Sequence, residues 1–303
     1  MATASQWVAG ARPRTLPAAI APVAAGLGIA YHRGADDWAI VAGRGLLALV
    51  VALALQIGVN FSNDYSDGIR GTDASRVGPV RLVGQGLATP AAVKRAAWLS
   101  FGVAALAGLA LVLLTGAWWL VLVGVAAIVA AWFYTGGPRL YGYAGLGEVF
   151  VFVFFGVVAV CGTEYVVLGA VTWDAVLASV GVGALACAIL VLNNLRDIPT
   201  DAVSGKHTLA VRLGDRRTRV FYASLVATAV AVAVGIGAIA VVAKPSAWAG
   251  GATLGLVGVV AAIGPLRVVR AGAVGRDLVG ALVGTGRTLL FYGVLMGLGA
   301  AFF

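Results

Sequence analysis

Nine runs of roughly twenty apolar residues constrain this chain more than any other feature. They lie at 16–31, 40–62, 97–115, 117–135, 146–168, 174–195, 219–242, 247–266 and 282–303. About 20 residues of helix cross the hydrocarbon core of a bilayer, so each run is read as a membrane-crossing helix. Composition agrees: 11% of the 303 residues are charged and 61% are apolar, with a mean hydropathy of +0.99. Soluble domains carry about 25% charge. A chain with so little could bury a core in water but could not cover it. The expected fold class is therefore all-α: a polytopic membrane protein, one domain over residues 1–303, with about nine helices around a central cavity. The first run is short and follows Arg12 and Arg14, as in a secretion signal, but eight further runs favour a retained first helix.

With the N-terminus placed in the cytoplasm, 18 of the 21 Lys and Arg residues fall on the cytoplasmic side; only Arg33, Arg44 and Lys244 fall on the other. That split is what the positive-inside rule requires. It predicts a multi-pass protein of the cytoplasmic membrane, with the C-terminus outside and the cavity open at the cytoplasmic face. The net charge of +9 then reads as topology. No basic stripe with interleaved aromatics marks a nucleic-acid partner; the expected partners are the lipid bilayer and a phosphorylated substrate. Cys161 and Cys187 fall inside runs, form no CxxC and read as packing residues. His32 and His207 are too far apart in the chain to suggest a shared transition metal. Nothing in the sequence sets an oligomeric state.

Of the twelve acids, none falls near the centre of a run, and five sit in two clusters. These are NDYSDGIRGTD (Asn63–Asp73) and NNLRDIPTD (Asn193–Asp201), each at the cytoplasmic end of a run. Asn63 to Asn193 is 130 residues, and so is Asp67 to Asp197, which makes the second and sixth helices equivalent members of a weak repeat. Asn63 and Asp67 are four apart and share a helix face, as do Asn193 and Asp197. Asp64 lies on a different face from Asn63 and Asp67, which sets it apart from the pair and leaves its role open. Pro199 is expected to end or kink its helix before Asp201, and Asp73, after Gly68 and Gly71, reads as loop.

Carboxylates drawn together repel unless a cation lies between them. Hard oxygens on helix ends suit Mg²⁺, which takes one or two carboxylates and completes its shell with phosphate oxygens and water. Arg70, Arg76 and Arg81 follow the first cluster; Lys206 and Arg212 follow the second. Acids for a metal beside cations for anionic oxygens describe a diphosphate site. Capping or interfacial charge at a helix end accounts for a single acid as well as a metal does. It does not account for two matched Asn-x-x-x-Asp clusters on one side of the membrane.

At these residues the chain resembles the UbiA superfamily of intramembrane prenyltransferases, whose paired Asp-rich motifs the two clusters match. ARPRTLPAAIAPVAAG (Ala11–Gly26), FYTGGPRLYGYAGLGEVFVFVFFG (Phe133–Gly156) and LVLNNLRDIPTDAVSGKHTLAVRLG (Leu190–Gly214) extend the likeness. The Gly71-x-Asp73 ending of the first motif is similar to the dihydroxynaphthoate-prenylating branch. The resemblance implies transfer of a polyprenyl group from its diphosphate to 1,4-dihydroxy-2-naphthoate. It implies Mg²⁺ held by Asn63, Asp67, Asp73, Asn193, Asp197 and Asp201, with Asp67 and Asp197 central to catalysis. Arg70, Arg76, Arg81 and Lys206 would meet the diphosphate charge. Tyr134 would donate to the diphosphate or face the allylic cation, and Arg14 or Arg139 would meet the acceptor's carboxylate.

Two other classes are weighed against this. Asp64-x-x-Asp67-Gly68 imitates the start of the CDP-alcohol phosphotransferase signature, but the rest of that signature is absent. A secondary transporter would share internal repeats, yet its polar residues belong near the bilayer midplane.

Overall fold

The computed structural model of the protein describes residues 2–71, 80–137, 140–243 and 253–302. Every regular element among them is helical, as expected. In order these are α1 (Ala4–Gly10), α2 (Pro17–His32), α3 (Trp38–Ile69), α4 (Pro90–Thr115), α5 (Leu120–Phe133) and α6 (Gly147–Leu168). There follow α7 (Trp173–Val203), α8 (Leu209–Ala243), α9 (Leu254–Val260), α10 (Ile263–Arg270) and α11 (Leu278–Phe302). Asp37, Thr89 and Thr172 cap the starts of α3, α4 and α7 by accepting backbone N–H groups two or three residues on.

Six helices among the described residues are long and apolar enough to cross a membrane: α3, α4, α6, α7, α8 through Ile236, and α11 with the turn before it. The segment Ala4–Thr15 meets α2 at 50°, the geometry of a broken span or of a re-entrant loop; counted as one span, the pair makes seven. The run expected at 117–135 is the 14-residue α5. The run expected at 247–266 is described only as α9 and part of α10, separated by a turn.

α7 is the axis of the bundle. Buried residues make up 72% of its apolar window, against 28–44% for the other five long helices. Its Val182, Leu185 and Leu192 pack in one core with Tyr222 of α8 and Leu289 and Met296 of α11. Polar ties join the same helices: the Tyr222 and Thr285 hydroxyls are 2.8 Å apart, and Tyr292 donates to the Ala229 carbonyl at 3.1 Å. Lipid tails give no hydrophobic drive between helices, so such ties and close backbone contact hold the bundle. At Gly28 a Cβ would sit 1.9 Å from the Gly297 carbonyl oxygen, so α2 and α11 approach to a distance only glycine permits. On the outside, Leu99, Leu106, Leu113 and Leu122 are 63–73% exposed, a surface suited to lipid.

Both motif helices outrun their apolar segments. α3 continues to Ile69, so Asn63 to Asp67 are helical. α7 continues to Val203, through Pro199, which corrects the expected break before Asp201. Proline removes one N–H, and side chains hold the turns beyond it. Thr200 Oγ1 donates to the Asp197 carbonyl at 3.0 Å, and the Lys206 N–H reaches the Asp201 carbonyl at 2.9 Å.

Candidate active site

α3 carries a polar stripe through apolar sequence: Gln56, Asn60, Asn63 and Asp67, all buried and three or four residues apart. Gln56 and Asn60 donate to Thr15 Oγ1, each at 2.9 Å, and Asn60 donates also to the Ala11 carbonyl at 2.9 Å. These bonds fasten the junction between α1 and α2. There Arg12 takes φ +55°, the only positive φ of a non-glycine among the described residues. A conformation this sparsely populated persists when its surroundings over-determine it.

One turn on, Asp67 is 2% exposed. Its Oδ1 accepts from the Tyr143 hydroxyl at 2.7 Å, and its Oδ2 lies 3.3 Å from Lys206 Nζ and 3.9 Å from an Arg81 nitrogen. Lys206 stands just past α7, so this ion pair joins the ends of the two motif helices. Its Nζ also lies 4.7 Å from the Tyr143 ring centroid. A buried charge is tolerated only when paired and hydrogen-bonded, and here Asp67, Arg81 and Lys206 are buried together.

Asp64 explains why Arg81 is there. It is wholly buried and accepts from the backbone N–H groups of Leu82 at 2.7 Å and Val83 at 3.1 Å. The segment carrying Arg81 is thereby pinned to α3. Asp64→Ala would strand the buried Leu82 N–H at about 1–3 kcal/mol and leave the half-buried Val83 N–H without its acceptor. We expect it to raise the KM for the anionic substrate about tenfold and to lower the thermal midpoint in detergent. An Asp64→Ala enzyme with unchanged KM and midpoint would show that Arg81 is held by other means.

At the end of α7, Arg196 donates to both Asp197 oxygens at 2.7 Å and to Asn193 Oδ1 at 2.8 Å. Asn194 donates to Glu148 Oε1 at 3.0 Å, and Glu148 Oε2 is buried with no hydrogen-bond partner among the described residues. Asn63 Oδ1 accepts from Thr135 at 2.8 Å. A small polar cavity of about 50 Å³ lies between the helix ends, lined by Asn63, Asp67, Asn193, Asp201, Arg81 and Lys206 among others. Among the described residues, no three acid, His or Cys side chains are grouped closely enough to ligate one ion. The donor set is one of hard oxygens in pairs, which suits an ion that shares its shell with phosphate and water.

Arg12, Asn63, Asn193 and Tyr134 also line a second cavity of about 1510 Å³. That exceeds the roughly 300–1,000 Å³ of ordinary small-molecule pockets, and its walls are mostly apolar side chains of α2 to α6. Phe152–Val158 of α6 is wound as a π-helix, a form frequent at functional sites, and Phe154 and Phe155 face the cavity. Aromatic rings continue along the wall. Tyr134 meets Tyr141 edge-on at 5.4 Å, Tyr141 stacks on Phe150 at 3.9 Å, and Phe154 follows at 6.3 Å. Burial pushes the Tyr141 hydroxyl up, so it stays the donor to the Ala130 carbonyl at 2.7 Å. The Tyr134 ring is seated against Gly142 and Gly147, where a Cβ would lie 2.8 Å and 3.3 Å from it.

The structure thus brings Asn63, Asp67, Asn193, Asp201, Arg81, Lys206 and Tyr134 to one polar pocket. Asp197 lies beside it in the grip of Arg196. Arg70 stands apart: its guanidinium donates to the Thr135 carbonyl and, at 2.8 Å, to the Gly137 carbonyl, clamping the loop that carries Tyr134. Arg14 lines only the large cavity. Asp73, Arg76 and Arg139 lie outside the described residues. Sequence reasoning missed Tyr143, Arg12, Arg196 and the Glu148–Asn194 pair. The polar stripe at Gln56 and Asn60 was a signal that a helix face there is not lipid-facing.

A family model described as the UbiA prenyltransferase family matches residues 19–274. The chain is 52% identical to the 1,4-dihydroxy-2-naphthoate octaprenyltransferase of Mycobacterium tuberculosis, over 100% of this chain and 99% of that one. It is 40% identical to the enzyme of the same name from Escherichia coli, over 72% of each chain. Among solved structures, a UbiA homolog from Archaeoglobus fulgidus bound to GPP and Mg²⁺ superposes with a TM-score of 0.61 at 12% identity. It covers 96% of this chain and 99% of that one. The apo structure of a UbiA homolog from Aeropyrum pernix gives 0.62 at 17%, over 94% and 96%. Over most of its length, in sequence and in fold, the chain belongs to the UbiA prenyltransferase family.

Proposed function

We propose that the protein transfers a polyprenyl group from polyprenyl diphosphate to 1,4-dihydroxy-2-naphthoate, releasing diphosphate and CO₂ and giving demethylmenaquinol, the reduced form of demethylmenaquinone. The relatives named for that acceptor support the reading. The observation that carries it is the shared wall of the two cavities: a buried set of acids and cations has Arg12, Asn63, Tyr134 and Asn193 in common with an apolar space larger than a common pocket. A diphosphate with a long hydrocarbon tail needs both.

The residues divide the work. Arg81 and Lys206 meet the charge that grows on the leaving diphosphate, in a site with little water to screen it. Both already lie beside Asp67, so little side-chain movement is needed. Asp67, Asp201, Asn63 and Asn193 would hold Mg²⁺, with Asp197 after Arg196 shifts. Mg²⁺ bound there supplies Lewis acidity toward the leaving group. The ring faces of Tyr134 and its aromatic neighbours favour positive charge on the allylic carbon, and the apolar walls keep water from it. The electron-rich acceptor attacks from the cavity side. With 18 of 21 Lys and Arg on one side of the nine-run reading, we place this end of the bundle at the cytoplasmic face of the cell membrane.

The test is one assay. Detergent-purified protein with Mg²⁺ and a polyprenyl diphosphate is offered dihydroxynaphthoate or 4-hydroxybenzoate. We expect prenylated product from the naphthoate, with loss of turnover when Mg²⁺ is chelated. Preference for 4-hydroxybenzoate would overturn the acceptor assignment.

A further inference from the structure

Arg216 and Arg217 of α8 and Arg267 and Arg270 of α10 lie outside both cavities. All are exposed, and none makes a hydrogen bond or ion pair with a described residue. One side chain brings the two pairs together. Arg219 bonds both Asp215 oxygens at 2.7 Å and donates to the carbonyls of Val269 at 2.7 Å and Ala273 at 2.9 Å. Arg216 and Arg217 are within a turn of Arg219, and Arg267 and Arg270 are within a turn of Val269. One and two turns further along α8, Tyr222 and Val226 share a core with Val259, Ala262 and Val269. The helices are neighbours here, and their arginines form one patch.

Each pair continues an outward-facing stripe. On α8 the exposed residues after Arg217 are Val220, Ser224, Ala227, Ala231 and Val234, three or four apart and so on one face. On the adjoining segment Val257, Val260 and Ile263 are exposed ahead of Arg267 and Arg270. α8 is long and apolar enough to cross a membrane, so this face meets lipid tails and its arginine end lies among headgroups. Helix stability does not account for the α8 pair. Gly214, at φ +74° and ψ 170°, breaks the helix, and Arg216 and Arg217 open the segment that follows, where basic charge opposes the helix dipole.

We propose that Arg216, Arg217, Arg267 and Arg270 form a binding site for an anionic membrane phospholipid. Guanidinium groups pair with phosphate oxygens through forked N–H donors, and the headgroup phosphate is the anion within their reach. The acyl chains lie along the α8 stripe, where Ser224, Ala227 and Ala231 leave room beside the larger Val220 and Val234. The positive-inside rule asks only for basic residues on one side of the membrane. It does not ask for four arginines at the lipid-facing edge of two adjoining helices. The site goes beyond prenyl transfer, since none of the four lines the cavities that serve it.

The test uses the whole protein in delipidated detergent solution. Binding of phosphatidylglycerol and of phosphatidylcholine is followed by native mass spectrometry, and the thermal midpoint is read with and without each lipid. Wild type is compared with Arg217→Gln/Arg270→Gln, with Arg216→Gln/Arg267→Gln and with Lys94→Gln/Arg95→Gln. The last removes equal charge from exposed positions on α4, away from the patch. Wild type is expected to bind phosphatidylglycerol saturably and in preference to phosphatidylcholine, with a raised midpoint. Each patch variant should weaken phosphatidylglycerol binding about thirtyfold, from about fivefold per basic residue near an anionic surface. It should also lose the midpoint rise while keeping the wild-type midpoint without lipid. The α4 variant should behave as wild type. An equal loss in the α4 variant, no preference for phosphatidylglycerol in wild type, undiminished binding by both patch variants, or displacement of the lipid by inorganic phosphate at matched ionic strength would each overturn the site.

Discussion

Asp67→Asn is expected to lower prenyl transfer at least ~10²-fold while the protein still folds. That is the scale on which single groups facing developing charge act in a water-poor site. Asparagine keeps an oxygen for the Tyr143 hydroxyl but removes the negative charge beside Lys206 and Arg81. Asp67→Ala should be as inactive and less stable, because it takes the carboxylate away from two buried cations, Lys206 and Arg81. Breaking a buried pair in this way costs about 3–5 kcal/mol. Asp197→Asn makes the matching test on the other helix, where an amide cannot accept both bonds from Arg196. The measurements are initial rates at saturating Mg²⁺ and thermal midpoints in the same detergent. Near-wild-type turnover in either asparagine variant would remove that residue from the metal assignment.

How much of this was legible in the sequence depends on how local each contact is. The all-α class followed from apolar runs and low charge, which are properties of single segments. The pairing of α3 with α7 followed from the 130-residue offset of two short motifs, and the structure joins their ends through Asp67 and Lys206. The helix face of Asp64 set it apart from Asn63 and Asp67 without giving it a role, and the Leu82 and Val83 amides show what it supports. Tyr143 could not be reached this way. It stands 76 residues from Asp67 in an irregular loop, where no periodicity says which way a side chain points.

The misreadings have the same origin. Pro199 suggested a break because local rules count the missing N–H. The helix continues because Thr200 and the Asp201–Lys206 turn secure the last residues of α7. Arg70 was grouped with the diphosphate cations because it follows the motif in sequence. In space it does not line the polar pocket, and two of its N–H groups reach the carbonyls of the loop holding Tyr134. A charge near a motif shows that it is available there, and only the fold shows what it binds.

Gly162→Phe should change which donors the enzyme accepts. Gly162 lines the large cavity, and a Cβ built there meets nothing within 4 Å, so the substitution projects into open space rather than into packing. It stands fifteen residues along α6 from Gly147, which contacts Tyr134. At ~1.5 Å per residue that is roughly 22 Å from the polar end. A two-isoprene donor stops short of this point, and a polyprenyl tail of many units must pass it. A bulky ring in an occupied apolar channel costs about 1–3 kcal/mol, so transfer from a long polyprenyl diphosphate should fall about ten- to hundredfold. Transfer from geranyl diphosphate should stay within about twofold, because Asp67, Lys206 and Arg81 are untouched. Gly102→Phe is the control: its Cβ is equally unobstructed, but the residue is exposed on α4 and does not line the cavity. It should leave both rates unchanged. Equal loss with both donors would mean that Gly162 supports the fold, and an unaffected long donor would mean that the tail leaves the cavity before reaching it.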